Sequence, residues 1–142
     1  MKFDKLIFTG PTDYYFDYLY GKLPYRSLDF KFETLDMERY QNAAVVNYPN
    51  EHDYTRVTEF KHFYFQKHHK TTICYEYPKD DGDPYYPMPK VEYQEIYQKY
   101  KAEAEKLKGV YFVGRLAEYR YLNMDQVVDR ALNVFEEIIK EQ

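Results

Sequence analysis

The middle of the chain alternates apolar and polar side chains with a period of two. Leu28, Phe30 and Phe32 are separated by charged residues, and a similar pattern returns between Val57 and Phe65. Because successive side chains of a β-strand point to opposite faces of the sheet, this alternation predicts strands. Their connections are short and contain Asn, Asp and Pro, which favours an antiparallel meander with one face covered and the other open. We predict four strands, over residues 25–36, 42–48, 54–66 and 71–77.

A strand followed by a helix precedes this sheet. Residues 5–9 form an apolar run that a glycine and a proline interrupt. Thr12 or Asp13 can then cap a helix over residues 14–20.

A helix, a strand and a second helix follow the sheet. The spacing of the apolar residues predicts a helix over residues 91–108, a strand over 110–113 and a loop over 114–122. Asn123 and Gln126 have the spacing of a capping box, so the last helix is predicted to begin at Asn123 and to run to Lys140. The pattern predicts an α+β chain in which an antiparallel sheet is inserted between pieces of an α/β domain. The predicted divisions are residues 1–24, 25–90 and 91–142.

Residues 78–90 cannot form a regular element. This segment contains four prolines, three aspartates and one glycine. Tyr85 and Tyr86 stand in its middle, flanked by Pro84 and Pro87. Ligand contacts concentrate on loops, so the two phenols are candidate ligand-binding groups. Packing of the aromatic rings within their own loop is the alternative.

The charge and the cysteine content exclude several classes of function. The net charge is −4 and no basic run exceeds two residues, which argues against nucleic acid and against an anionic membrane surface. No apolar run is long enough to span a bilayer. Cys74 is the single cysteine, so it cannot form an internal disulfide, and we expect a cytoplasmic protein. The histidines lack the spacing of a metal site, and no glycine-rich nucleotide fingerprint is present.

Three of the six arginines occupy unusual positions. Arg26 begins a predicted strand, Arg56 lies inside one, and Arg115 follows a buried strand and a glycine. A planar guanidinium presents paired donors that match phosphate oxygens, so these arginines can bind a diphosphate. An ion pair with Glu59 or Glu76 is the alternative for Arg56. The alternation places Glu59 on the opposite face, which argues against the first of these pairs.

Six sequence blocks carry a resemblance to a known family. They are residues 8–13 (FTGPTD), 23–28 (LPYRSL), 55–63 (TRVTEFKHF), 76–78 (EYP), 84–87 (PYYP) and 114–125 (GRLAEYRYLNMD). Taken in order over nearly the whole chain, they resemble the C-terminal part of the UDP-galactopyranose mutases.

The resemblance implies a flavoenzyme that interconverts UDP-galactopyranose and UDP-galactofuranose. In that family reduced FAD carries the chemistry: its N5 attacks the anomeric carbon, displaces UDP and holds the sugar while the ring opens and recloses. No side chain of this chain is then catalytic. The resemblance implies that residues 1–24 and 91–142 belong to a flavin-binding domain and residues 25–90 to a substrate domain.

The resemblance also implies a role for individual residues. The residues that would bind UDP-galactose or line its cleft are Arg26, Arg56, Glu76, Tyr86, Arg115 and Tyr121. The contacts with FAD fall to Gly114, Arg115, Asn123, Met124 and Asp125. A helix that begins near Asn123 would present backbone N–H groups and partial positive charge to an anionic reduced flavin.

The chain departs from the family in two respects. Asn123 stands where many members carry an aspartate, although either residue can cap a helix. The family's flavin-fingerprint region lies upstream of the resemblance, so we expect this chain to be inactive by itself. We also expect its terminal strands to expose apolar surface that favours a homo-oligomer. A non-catalytic UDP-sugar-binding module and a structural or interaction domain are the alternatives.

Overall fold

A computed structural model describes residues 3–88 and 90–140. These residues fall into two compact units. The first unit comprises the residues up to Arg26 together with those from Pro84 onward, and the second comprises Ser27–Asp83. In chain order the elements are β1 (Leu6–Phe8), α1 (Thr12–Tyr15), β2 (Tyr25–Leu35), β3 (Val45–Asn47), β4 (Arg56–Glu59), α2 (Lys61–Tyr64), β5 (Thr71–Lys79), β6 (Tyr86–Pro87), α3 (Val91–Ala104), β7 (Val110–Phe112) and α4 (Met124–Lys140).

Two short parallel strands lie in the first unit. β1 pairs with β7, with Phe8 opposite Phe112. Phe112 packs edge-on against Tyr15 at a centroid distance of 4.9 Å, and Phe8 meets the same ring at 5.0 Å. Residue Val113 follows β7 and packs with Val134 and Ile138 of α4. Parallel pairing agrees with the α/β character predicted for the ends of the chain.

Buried tyrosines form the other core of the first unit. Tyr100 and Tyr119 are fully buried and cluster with Leu23 and Tyr97. The Tyr100 hydroxyl donates to the Gly21 carbonyl at 2.7 Å and accepts from the Tyr20 N–H at 2.8 Å. The Tyr119 hydroxyl donates to the Pro24 carbonyl at 2.6 Å. Each phenol therefore fills the core with its ring, and its hydroxyl forms hydrogen bonds with backbone groups of segment 20–24.

The first helix differs from its prediction. It begins at Thr12 instead of residue 14 and ends at Tyr15, because Asp17 and Tyr18 adopt left-handed φ values of 49° and 58°. Neither predicted cap forms. The Thr12 hydroxyl instead donates to the Ala117 carbonyl, and the Asp13 carboxylate accepts from the Leu23 N–H at 2.9 Å. Both side chains connect distant segments instead of capping the helix.

The later elements of this unit follow the prediction more closely. α3 starts at Val91 as predicted but ends at Ala104, four residues before the predicted end. The Asn123 N–H donates to the Gln126 side chain at 2.8 Å, which is half of the predicted capping box. The apolar exposure predicted for the terminal strands is present at Ile7, which is 58% exposed.

The second unit contains an antiparallel sheet, but its strand order is not that of a meander. The order is β3-β4-β5-β2, so β2 pairs with β5 and not with β3. Nine register pairs join Ser27–Leu35 to Thr71–Lys79. β3 has only three residues, so pairing β2 with β5 forms more backbone hydrogen bonds than a hairpin with β3 could. The first two residues of β2 belong to the first unit, where they pair with β6. The prediction that residues 78–90 form no regular element is therefore wrong in two places, because β5 extends to Lys79 and Tyr86–Pro87 form β6.

The predicted strand over residues 54–66 is wrong in its second half. β4 ends at Glu59, the short helix α2 follows, and Phe65 is left-handed with φ of 51°. The Lys61 ammonium donates to the Glu38 and His68 carbonyls at 2.5 and 2.6 Å, which fixes this turn. Phe65 is 89% exposed as a result.

Phe30 and Phe32 of β2 lie on the more exposed face of the sheet. Val57 and Ile73 are fully buried on the opposite face, whereas Phe32 is 66% exposed and stacks on Phe60. None of the helices within residues 3–88 and 90–140 is long and apolar enough to cross a membrane.

Candidate functional site

The residues predicted to bind substrate are divided between the two units. Arg26, Tyr86, Arg115 and Tyr121 lie in the first, whereas Arg56 and Glu76 lie in the second. Two local groups therefore result, and each is described within its own unit.

The first group is a pair of tyrosines beside a short antiparallel ladder. Arg26 of β2 pairs with Tyr86 of β6, and the Tyr85 N–H donates to the Arg26 carbonyl at 3.1 Å. The Tyr86 and Tyr121 rings stack at a centroid distance of 6.1 Å with an interplanar angle of 27°. Tyr121 is 66% exposed. The structure thus brings Arg26, Tyr86 and Tyr121 together, as a face of two phenols beside a cation.

Arg115 lies in a tight turn after β7. Gly114 has φ of 101°, a left-handed value that favours glycine, and its N–H donates to the Glu118 carboxylate at 3.0 Å. The Arg115 Nε donates to the Leu122 carbonyl at 2.6 Å. Glu118 also accepts from the Arg130 Nε at 2.8 Å, which ties the turn to α4. The guanidinium is held at one edge, and this bond uses one of its five N–H donors.

The start of α4 presents exposed residues, as a ligand contact requires. Asn123, Met124 and Asp125 are all exposed. The Asn123 N–H is engaged by the exposed Gln126 side chain, so a ligand that used this donor would displace that side chain.

The second group centres on the Arg56 guanidinium. Its Nε donates to the Asn47 side-chain oxygen at 2.9 Å, and its Nη1 lies 3.5 Å from a carboxylate oxygen of Glu76. Asn47 and Glu76 are the register partners of Arg56 on β3 and β5. The ion pair with Glu76, which the sequence offered as the alternative to a diphosphate contact at Arg56, is present. Glu59 is bonded elsewhere, as the alternation indicated.

A cavity of about 280 Å³ lies elsewhere in the first unit. Its lining comes from α3, β7 and α4 and includes Tyr97, Tyr111, Val134 and the carboxylates Glu105 and Glu137. Arg115 and Tyr121 do not line it. Glu118, Lys101 and Arg130 also line it, so carboxylates outnumber cations by three to two, and this balance disfavours an anionic ligand.

A family model described as UDP-galactopyranose mutase matches residues 1–121. This chain belongs to that family. A probable UDP-galactopyranose mutase of Klebsiella pneumoniae is 40% identical over 139 residues, which cover 94% of this chain and 36% of that protein. The dTDP-fucopyranose mutase of Escherichia coli is 38% identical over 144 residues, 98% of this chain and 38% of that protein. The UDP-galactopyranose mutase of Mycoplasma genitalium is 33% identical over 132 residues, 87% of this chain and 33% of that protein. The chain thus spans little more than a third of the length of these mutases.

A buried carboxylate of this mutase-family chain, Glu59, was not among the predicted functional residues. Glu59 is fully buried and accepts hydrogen bonds from the Thr71 hydroxyl at 2.6 Å and from the Gln41 N–H at 2.9 Å. The Tyr40 N–H and the His62 ring also contact it, at 3.1 and 3.2 Å. Burial alone would raise the pKa of Glu59, but these hydrogen bonds outweigh burial and hold the pKa below its ordinary value of 4.5. The available signal was its spacing of two residues from the apolar Val57, which places both on one face.

Asn47 was also missed, although it contacts Arg56 directly. Nothing in its immediate sequence marks it, because the contact depends on which residue of β4 lies opposite. Register between two strands is set by their pairing and not by either strand alone.

The buried tyrosines near the first group remain neutral. Burial raises the pKa of Tyr119 to about 12 and that of Tyr97 to about 12. Burial, followed by the nearby Asp13 carboxylate, raises the pKa of Tyr25 further. The Tyr25 and Tyr119 hydroxyls act as neutral donors, whereas Tyr121 lies at the surface.

The histidines and the cysteine form no reactive cluster. In the part of the chain that the structure describes, no three side chains of the His, Cys, Asp and Glu types are grouped to hold a metal ion. Cys74 is buried in β5, and burial raises the pKa of its thiol, which keeps the thiol protonated.

Proposed function

We propose that this chain forms the C-terminal part of a UDP-galactopyranose mutase and binds the diphosphate of UDP-galactose. The single observation that carries the proposal is the Arg56 guanidinium, held at Nε by Asn47 and at Nη1 by Glu76. Two acceptors on neighbouring strands fix the plane of this cation. An oriented guanidinium loses little entropy when it binds phosphate oxygens through its remaining N–H groups.

The first unit supplies the other proposed contacts with the substrate. The stacked Tyr86 and Tyr121 rings offer two phenol hydroxyls, each of which can donate to a phosphate oxygen. Arg26 is next to Tyr86 in the ladder, and the Arg115 turn precedes Tyr121 in the chain. We assign these four residues to substrate contacts made by the first unit.

The residues at the start of α4 fit an anionic flavin. The helix has 17 residues, and its first turn lies after a glycine turn that carries Arg115. Gly114, Arg115, Asn123, Met124 and Asp125 would hold reduced FAD through backbone N–H groups and one guanidinium. When bound, reduced FAD supplies the nucleophile for the sugar; the residues of this chain bind and orient the nucleotide.

The similarity to the dTDP-fucopyranose mutase favours a second candidate substrate. That relative covers 98% of this chain, and its identity of 38% is close to the 40% of the Klebsiella protein. UDP-galactose and dTDP-fucose share a diphosphate, which is the group that the arginines recognise. The contacts proposed here therefore serve either nucleotide sugar, and substrate choice must be measured.

A chimeric enzyme tests the proposed function. The matching region of the Klebsiella relative is replaced by this chain, and pyranose–furanose interconversion is assayed with UDP-galactose and with dTDP-fucose. We expect activity, and a loss of about 10²-fold for Arg56→Ala or Arg115→Ala, because each removes a cation from the diphosphate. Arg39→Ala removes an exposed arginine outside both groups and serves as the matched control.

The outcome decides between the functional classes. A chimera that folds and binds FAD but interconverts neither sugar would contradict the mutase proposal. Titration of UDP into the isolated chain adds a second criterion. If the chain is part of an enzyme, we expect it to bind UDP weakly. If it is a binding module, we expect tight binding that Arg56→Ala together with Arg115→Ala abolishes. If it is an interaction domain, we expect self-association that neither arginine substitution changes.

A further inference from the structure

We propose that Glu59 is a positioning residue for Arg56, acting through the register of β3. This inference rests on the proposed function, since it concerns how the diphosphate-binding guanidinium is held. Glu59 itself lies on the face of β4 opposite Arg56, so it cannot contact the same ligand.

The first step is that Glu59 holds the segment leading into β3. Its carboxylate accepts from the backbone N–H groups of Tyr40 and Gln41, and its own N–H donates to the Ala44 carbonyl at 2.8 Å. Charge-assisted hydrogen bonds to a fully buried carboxylate are among the stronger polar contacts in a protein. The connection from β2 is therefore fixed at the end of β4.

The second step is that Gln41 transmits this anchor to β3. The Gln41 side-chain nitrogen lies 2.8, 3.3 and 3.2 Å from the carbonyl oxygens of Ala43, Ala44 and Val57, which share its two N–H donors. Two of these carbonyls immediately precede β3 and the third belongs to β4. Gln41 thus joins the start of β3 to its partner strand.

The third step is that β3 depends on such an anchor for its register. It has three residues, and Asn47 at its end lies opposite Arg56. Slipping a strand by one residue turns every side chain to the other face of the sheet. A slip of β3 would therefore remove the Asn47 oxygen from the Arg56 Nε and leave the guanidinium held by Glu76 alone.

Nuclear magnetic resonance of the chain without any ligand tests this inference. Hydrogen exchange is measured at the Arg56 Nε–H and at the backbone amides of β3 and of the β2–β5 ladder. In Glu59→Gln we expect exchange at the Arg56 Nε–H and in β3 to accelerate by about tenfold or more, which matches the loss of one charge-assisted hydrogen bond. The β2–β5 amides should change less.

Two further variants separate positioning from general stability. Asn47→Ala removes the acceptor directly, and adding Glu59→Gln to it should cause no further acceleration at the Arg56 Nε–H. Thr34→Ala removes the exposed hydroxyl contact with Thr72, at 3.0 Å, and should leave Arg56 unchanged. If Glu59→Gln does not fold, Gln41→Ala interrupts the second step and should have the same direction of effect.

The inference is overturned if the exchange rate at the Arg56 Nε–H does not change while the whole sheet exchanges faster in Glu59→Gln. Additive effects of Glu59→Gln and Asn47→Ala would overturn it as well. Because no ligand is used, failure here leaves the chimera assay unaffected, and failure of the chimera leaves this measurement interpretable.

Discussion

The two units fix their loops by different chemistry. In the first unit the buried phenols of Tyr100 and Tyr119 bind backbone groups of segment 20–24 and remain neutral. In the second unit the buried carboxylate of Glu59 gathers two backbone N–H groups, a hydroxyl and an imidazole. A neutral phenol carries a small desolvation cost, whereas a buried carboxylate is tolerated only while its donors remain in place. We therefore expect the second unit to be the more sensitive to substitution and to acid.

The largest expected effect is that of Glu59→Ala. It leaves buried donors of Tyr40, Gln41 and Thr71 without an acceptor, which should lower the free energy of unfolding of the second unit by about 3 kcal/mol. The rate of chemical labelling of Cys74, which is 3% exposed in β5, measures opening of this unit. The exposed Glu51→Ala is the control and should label at the wild-type rate. Equal labelling of the two variants would show that the carboxylate is not essential to the unit.

Tyr100→Phe should have a smaller effect, confined to the first unit. It removes the hydroxyl that pairs the Gly21 carbonyl and the Tyr20 N–H, at a cost of about 1.5 kcal/mol. The Cys74 labelling rate should not change, while hydrogen exchange at Tyr20 should accelerate. Tyr14→Phe removes the hydroxyl of a tyrosine that is 64% exposed, and it should change neither quantity. Faster labelling of Cys74 in Tyr100→Phe would mean that the units do not respond independently.

Acid should destabilise the second unit through Glu59. Because hydrogen bonds hold its pKa below the ordinary 4.5, the ionised carboxylate contributes stability that is fully present above pH 4.5. That contribution is lost as the pH falls through the lowered pKa. The difference in urea midpoint between wild type and Glu59→Gln should therefore shrink below pH 4.5. A difference that stays constant with pH would show that folding does not lower the pKa of Glu59.

The smallest expected effect is that of Thr34→Val in the exposed part of the sheet. It removes only the hydroxyl contact with Thr72, which spans the β2–β5 pair. A cross-strand contact of this kind contributes about 0.3 kcal/mol. The urea midpoint should thus move much less than in Glu59→Ala. A shift of comparable size would show that the exposed Thr34–Thr72 contact stabilises this unit as much as the buried Glu59 carboxylate does.

The candidate site was foreseen unevenly. Arg56 was marked by its position inside a predicted strand, and strand spacing argued against its pairing with Glu59 but left the pairing with Glu76 open. Tyr86 was a candidate because of its loop, whereas Tyr121 was named only through the resemblance. Asn47 and Glu59 were not foreseen, because their roles depend on contacts between β3, β4 and the connection before them. The roles of the six substrate-binding residues stay predictions until the chimera is assayed.

The sequence by itself determined the approximate positions of most helices and strands, because the spacing of apolar residues is a local property. α3 and α4 start at or next to their predicted first residues, and β2, β3, β4 and β5 overlap their predicted ranges, whereas α2 and β6 were not predicted. Only the tertiary structure decided that β2 pairs with β5, that Asp13 binds the Leu23 N–H and that Glu59 is buried and charged. Each of these outcomes depends on which of the alternative contacts between distant segments has the lowest free energy. The longest matched strands pair, and a buried polar group takes whichever partners the assembled chain brings to it.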